Sequence, residues 1–517
     1  MTRLILIVAI GVLQVAFLSS CQQQQNQQNQ EFPNVVLIYT DDVGYGDLSS
    51  YDYGAIPTPN IDQLAENGVL FTDAHATSAT CTPSRFGLLT GVYPWRRKGT
   101  QIAPGDAAMI IPPDQFTMAD LFKSAGYATA VVGKWHLGLG PQGGPDWNTA
   151  ITPGPAEIGF DYSYLIPATG DRVPCVYVEN GKVVDLDPND PIAVSFGDSI
   201  GSEPTASSNP ELLKMHPSHG HDKTIINGIS RIGYMTGGQQ ARWRDEDMAD
   251  QITSKARSFI KEHSDQPFFL YYSTHDIHVP RVPHERFAGK SGHGPRGDVL
   301  LQLDWAVGSL VEQLEELKLL DNTLIIFTSD NGPVLDDGYQ DQAVELIGNH
   351  QPSGPYRGGK YSTFEAGTRV PLIVHWPSKV NPGIADHLFS QVDLVSSFAT
   401  LLGQEIPGDM ASDSESNLPQ LLNRSNQDRD FAVEHAASQT LSLIKDDWKY
   451  IEPNNGRAVN PNTNIELGHN PEHQLYNLKQ DPGETNNLAT ENPAKVQEMI
   501  ELLNKIRAGE RLSAEKI

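Results

Sequence analysis

The 517-residue chain carries 37 lysines and arginines against 64 aspartates and glutamates, for a net charge of −27. That balance excludes nucleic acid as a partner, because nothing forms a basic stripe to meet phosphates. Three cysteines exclude a disulfide framework, while the length is ample for one large core.

In chain order, Arg3 precedes an apolar run from Leu4 to Leu18, followed by Leu18-Ser19-Ser20-Cys21. A charged start, a short apolar stretch and small residues at its end describe an export signal over 1–20, too short to span a bilayer as a stable helix. The Leu-Ser-Ser-Cys ending resembles a bacterial lipobox, which makes Cys21 the lipidated first residue of the mature chain. An ordinary signal peptide that happens to contain a cysteine is the alternative. Residues 21–31, nearly all Gln and Asn, cannot form a core and read as a flexible tether. The expectation is an exported lipoprotein facing the periplasm or cell surface, touching the membrane only through that lipid.

Apolar runs then stop at polar residues four times. Asn34 to Tyr39 ends at Asp41-Asp42, Ala128 to Val132 at Lys134-Trp135-His136, Pro267 to Tyr272 at His275-Asp276-Ile277-His278, and Thr323 to Phe327 at Asp330-Asn331. Such runs suit strands buried on both faces. Helical patterns lie between them: Met118 to Ala125 behind Thr117 as N-cap, and a stripe of Val299, Leu303, Val307, Leu310 and Leu314. Strand alternating with helix predicts a doubly wound α/β sheet whose ligands sit at the carboxyl ends of its strands. From about residue 405 the pattern changes to short strands around 431–433, 441–444, 448–451 and 474–476, with a helix from Pro493 to Arg507. The division expected is a catalytic domain over 32–405 and an α+β subdomain with an antiparallel sheet over 406–517.

Cys81-Thr82-Pro83-Ser84-Arg85, continuing to Leu88-Leu89-Thr90-Gly91, packs a thiol, a helix-starting proline and an arginine into what reads as a helix N-terminus. That setting favours anions; a buried structural cysteine beside a capped helix is the plain alternative. Asp41, Asp42, Asp330 and Asn331 offer hard oxygen ligands, which points to Ca²⁺ ahead of Mg²⁺. Arg85, Lys134 and Lys360 supply fixed positive charge, so that with a divalent ion the site is net positive inside an acidic protein. The glycines of Arg357-Gly358-Gly359-Lys360 are expected to let the backbone approach the ligand closely.

These segments together resemble the type I, formylglycine-dependent sulfatases. Cys81-Thr-Pro-Ser-Arg85 with its Leu-Leu-Thr-Gly tail is similar to the first signature of that family and Gly133-Lys134-Trp135-His136-Leu137-Gly138 to the second. His278-Val279-Pro280 and Gly359-Lys360 match its later histidine and lysine, and Leu475-Tyr476-Asn477-Leu478 with Asp481-Pro482-Gly483 its closing motif. The resemblance covers Asn34 to about Ala489. It implies an alkaline-phosphatase-like sandwich with a large, mostly parallel central sheet, and a Cys81 oxidised to formylglycine (3-oxoalanine) by a formylglycine-generating enzyme. The hydrated aldehyde would join Asp41, Asp42, Asp330 and Asn331 on calcium, and one of its oxygens would attack sulfur. His278, with Lys360, would protonate the leaving alcohol; His136 would take the proton from the second hydroxyl and so expel sulfate. Arg85 and Lys134 would hold the diol and the sulfuryl oxygens.

The substrate expected is a sulfated glycan. The polar loops at Asp171-Arg172, Pro217 to His221 and Gly348-Asn349-His350 resemble those of enzymes acting on 6-O-sulfated galactose or N-acetylgalactosamine, with Asp171, Arg172, His275 and His350 as sugar contacts. A surface salt bridge for Asp171 and Arg172, and a structural hydrogen bond for His275, stay open. Two other functions are weighed: a phosphatase or phosphodiesterase of the same superfamily, and a surface glycan-binding protein whose Cys81 is never converted.

Overall fold

A computed structural model describes residues 32–427 and 429–509; the expected signal, Cys21 and the tether lie outside the described residues. Ten strands make the main sheet. They are β1 (Asn34–Thr40), β2 (Val69–Phe71), β3 (Ala128–Lys134), β4 (Tyr162–Ile166), β5 (Val178–Glu179), β6 (Lys182–Val183), β7 (Phe268–Ser273), β8 (Thr323–Ser329), β9 (Leu372–His375) and β10 (Gly383–Ala385). Their spatial order is β10-β2-β9-β8-β1-β7-β3-β4-β5-β6. The middle five, β8-β1-β7-β3-β4, run parallel. Antiparallel pairing begins at β9 on one side and β5 on the other. The four runs picked out by their apolar content are the four innermost of these strands, and their side chains are almost wholly buried, as two covered faces require.

Helices cover both faces. On one, α2 (Cys81–Thr90), α3 (Met118–Ser124) and α6 (Leu394–Leu402) pack together, with Phe122 of α3 stacked on Phe269 of β7 at 4.2 Å between ring centroids. On the other, α5 (Gly294–Glu316) packs on α1 (Pro59–Glu66) and on α4 (Met248–Glu262), and α4 meets Phe268 and Tyr272, the alternate residues of the same strand. The α3 start is a capping box, as Thr117 and Asp120 each bond the other's backbone N–H, at 3.3 and 3.0 Å.

Four antiparallel strands, β11 (Ala432–His435), β12 (Leu441–Lys445), β13 (Trp448–Ile451) and β14 (Gln474–Asn477), with α7 (Pro493–Arg507), form the second sheet and its cover. Its inner face carries charge as well as apolar groups. Lys449 Nζ lies 2.8 Å from Glu365 and 3.4 Å from Glu434, and His75 Nδ1 is 2.6 Å from Glu434, all buried. These bonds tie the second sheet to the turn that leads into β9. Cys81 and Cys175 are both free thiols.

Candidate active site

Strand register assembles the site. Thr40 pairs with Ser329, Tyr39 with Ser273, and Ser273 with Gly133. The residues that follow each strand therefore emerge abreast: Asp41-Asp42, Asp330-Asn331, Lys134 to His136, and the loop to His278. Helix α2 aims its first turn at the same edge, with Cys81 as its first residue and Sγ 3.8 Å from Asp41 Oδ1. All ten residues of that helix are buried, and burial pushes the thiol up to about 12, with Lys134 opposing and Asp330 adding.

Arg85 and Lys134 engage the site carboxylates. Arg85 Nε and Nη2 donate to Asp330 Oδ2 at 3.0 and 2.7 Å, and Nη1 donates to Ser273 Oγ. Lys134 Nζ stands 2.5 Å from Asp41 Oδ2 and 3.6 Å from Asp330 Oδ2. Both side chains are fully buried and neither lines the pocket at Cys81. In this arrangement their charges fix the carboxylates of the site.

Those carboxylates form a cation cradle. Asp41, Asp42, Cys81 and His278 each bring one ligand atom within 4.8 Å of the others. Asn331 Nδ2 donates to Asp42 Oδ1 at 2.8 Å, leaving Asn331 Oδ1 buried without a partner among the described residues. Burial, reinforced by Asp330, pushes the Asp41 carboxyl well above its ordinary range; Arg85, against burial, holds Asp330 below it. A hard divalent ion would relieve the crowding and engage the orphan amide oxygen, so the donor set fits one. Cys81 was expected beside these oxygens; the His278 imidazole was not.

His136 Nε2 is 3.0 Å from the Ala103 carbonyl, and Nδ1 is buried with no partner. Burial and then Lys134 hold this ring well below the usual histidine range. His278 donates from Nδ1 to the Val279 carbonyl at 2.7 Å, which turns Nε2 toward Asp42 at 3.9 Å. Lys360 Nζ bridges Asp42 Oδ2 at 2.9 Å and Asp337 Oδ2 at 2.8 Å. Gly359 serves protein packing and not ligand approach, since a Cβ there would lie 2.6 Å from the Pro333 carbonyl. Trp135 is buried, its indole N–H on Gly138 O at 2.7 Å.

A cleft of about 240 Å³ opens over Cys81, lined by His136, His278, Lys360, Asp171, Arg172 and His221. Asp171 is tied down by Thr169, by Arg172 Nη1 at 2.8 Å and by His221 Nε2 at 2.9 Å, so it orients Arg172 rather than lying in a solvent salt bridge. His275 makes the structural hydrogen bond left open for it, and His350 is a correction. His275 Nε2 accepts the Gly170 N–H at 3.0 Å and lies behind the loop, outside the cleft lining. His350 is buried elsewhere, with Nε2 on Asp47 at 2.8 Å and Nδ1 accepting from Ala55 N at 3.0 Å. Both nitrogens of His350 are used, so none remains for a sugar.

Sequence reasoning missed Asp337, Tyr361 and the Asn460 to Thr463 turn, all of which line the cleft. Asp336-Asp337-Gly338, a few residues past Asp330-Asn331, carried a usable signal. The asparagine turn, 130 residues downstream of Asp330, carried none.

A mixed sheet with this strand order, a nucleophile-bearing helix start and a bare imidazole over a cation cradle together define a hydrolase of anionic esters. Comparison with known proteins narrows the class. The family description "Sulfatase" matches residues 33–404, and "N-sulphoglucosamine sulphohydrolase, C-terminal" matches 359–509. Over 496 residues the chain is 57% identical to an N-acetylgalactosamine-6-O-sulfatase of Bacteroides thetaiotaomicron, across 95% of this chain and 97% of that one. It is 34% identical over 381 residues to arylsulfatase A of Bos taurus, across 72% of this chain and 65% of the other. A solved Bacteroides thetaiotaomicron structure concerned with the metabolism of multiple glycosaminoglycans superposes with TM-score 0.92 at 57% identity, covering 93% of this chain and all of that one. The chain belongs to the sulfatase family and is a sulfatase of alkaline-phosphatase-like fold.

Proposed function

We propose that this enzyme removes the 6-O-sulfate of N-acetylgalactosamine, or of galactose, in sulfated glycans, with Cys81 matured to formylglycine by a formylglycine-generating enzyme and one Ca²⁺ in the cradle. The observation that carries the substrate is the 57% identity, along nearly the whole of both chains, to an N-acetylgalactosamine-6-O-sulfatase. Export and lipid anchorage at Cys21, and the division into 32–405 and 406–517, belong to the same proposal and rest on sequence.

A formylglycine hydrate held by the cation would supply an oxygen nucleophile with a neighbouring hydroxyl through which sulfate can leave. Asp41, Asp42, Asp330 and Asn331 hold the cation. Lys134 and Arg85 pair with Asp41 and Asp330 and aim them. His136 receives a proton at Nδ1, the nitrogen the Ala103 carbonyl leaves free. His278 and Lys360 face the departing alcohol, whose alkoxide needs a proton or a positive charge. Arg172, oriented by Asp171, reads sugar hydroxyls, and His221 holds Asp171 in place.

Sulfate release from a panel of sulfated mono- and disaccharides tests this reading. N-acetylgalactosamine 6-sulfate is hydrolysed and its 4-sulfate isomer is not; the reverse preference sinks the substrate assignment. Mass spectrometry of the Cys81 peptide from active enzyme finds the thiol replaced by an aldehyde, and an intact thiol in fully active protein removes the chemistry.

A further inference from the structure

Lys360 is held by two carboxylates at nearly equal distance, Asp42 Oδ2 at 2.9 Å and Asp337 Oδ2 at 2.8 Å. The second of these is itself fixed, because the Tyr361 hydroxyl donates to Asp337 Oδ1 at 2.8 Å. The backbone around the lysine is equally constrained. Lys360 N donates to Pro333 O at 3.0 Å, and Tyr361 N donates to Ala79 O at 2.7 Å. Asp337 lines the same cleft as Cys81 and His278.

A carboxylate at the wall of a pocket for an anionic ester is a cost, since it repels the substrate. It is tolerable only where it is neutralised and gives something in return. An ammonium has three N–H groups arranged tetrahedrally. Two of those on Lys360 are committed to Asp42 and Asp337, and that pair of bonds fixes the direction of the third. With Asp337 gone, the flexible lysine stem would be free to settle wholly on Asp42, the oxygen a cation also needs. We infer that Asp337, braced by Tyr361, is a positioning residue that keeps the Lys360 ammonium from settling wholly on Asp42 and points its remaining N–H at the leaving-group oxygen. This rests on the proposed placement of Lys360 beside the departing alcohol.

Positioning of this kind matters most when the leaving group is poor, because a good one departs without help. The test uses the full chain co-expressed with a formylglycine-generating enzyme, and two substrates with no sugar: phenyl sulfate and 4-nitrophenyl sulfate. Asp337→Asn lowers kcat/KM for phenyl sulfate about tenfold more than for 4-nitrophenyl sulfate. Tyr361→Phe shows the same selectivity at smaller size. In a Lys360→Met background the Asp337→Asn change adds no further selectivity, as expected of residues acting as a unit.

Equal losses on both esters, or undiminished selectivity in the Lys360→Met background, overturn the inference. A fall in thermal stability without leaving-group selectivity does so too, since it marks a structural role alone. Because neither probe contains a sugar, the outcome is independent of the glycan assignment. If Lys360→Met itself leaves the phenyl to nitrophenyl ratio unchanged, the placement of Lys360 fails and the inference falls with it.

Discussion

The Nε2 of His136 lies 3.0 Å from the carbonyl of Ala103, and that contact decides which nitrogen of the ring is a base. A carbonyl accepts only, so Nε2 carries the proton and Nδ1 presents a lone pair, buried and otherwise unpartnered. His136→Ala therefore slows the proton-removing step. In stopped-flow assays with 4-nitrophenyl sulfate it gives about one equivalent of nitrophenol promptly, then a steady state lowered by about 10²- to 10⁴-fold. A uniform slowing without the initial phase contradicts the assignment.

Cys81→Ser, made without a converting enzyme, keeps the shape of the first turn of α2 and loses the second hydroxyl. It binds sulfated substrate with near-normal affinity by calorimetry and does not turn over. Full turnover in a Cys81→Ser variant whose serine is shown by mass spectrometry to be unconverted would remove formylglycine from the account.

Removing the cation exposes a cluster in which Asp41 is raised by burial and by Asp330. EGTA treatment abolishes activity and lowers the melting temperature, and added Ca²⁺ restores both. At free calcium one hundred times its Kd, the linkage gives about 2.7 kcal/mol. Asn331→Ala weakens the calcium response; a melting curve indifferent to EGTA argues against the cradle.

His75 is raised to about 9 because Glu434 and Glu365 outweigh the lowering effect of burial. Its unfolded value is about 6.5. The bonus of the cationic ring is therefore complete below that pH and is lost as pH rises through about 9. Thermal stability falls between pH 7 and 10, and His75→Gln flattens that slope even though it lowers stability overall. Glu484, raised to about 8 by burial despite Lys449, acts in the same direction.

His350 donates to Asp47, which Arg296 also binds through two bonds at 2.7 and 2.8 Å. His350→Ala costs about 2 kcal/mol of stability by leaving part of that buried carboxylate unpaired. KM for the sugar substrate stays unchanged in the protein that folds; a large rise in KM would return His350 to the substrate wall.

The sheet centre and the cradle were legible because each inner strand is an unbroken apolar run that stops at ionisable residues, and parallel register alone then aligns the stops. The Cys81 helix announced itself through its own five residues. Two-residue strands such as Val178–Glu179 carry too little pattern to see. His350 was misjudged because a polar loop reads alike whether it faces sugar or a buried aspartate. Arg85 and Lys134 were legible as site cations, but their bonds to Asp330 and Asp41 were not, since sequence does not show which carboxylate a cation meets. Asp336-Asp337-Gly338 marked a turn near the site, but its return to Lys360 is visible only in three dimensions.

Every signature of the family that bears a reactive group precedes Val370, yet the Lys360 segment is gripped from the far end of the chain. Arg357 holds Glu466 at 2.7 Å and the Glu484 carbonyl at 2.7 Å, while Glu484 Oε2 takes the Glu365 N–H at 2.6 Å. Cutting the chain after the last catalytic motif would thus spare each reactive side chain and still let its scaffold go slack. The tail is the clasp of the active site, and a minimal version of this enzyme must keep it.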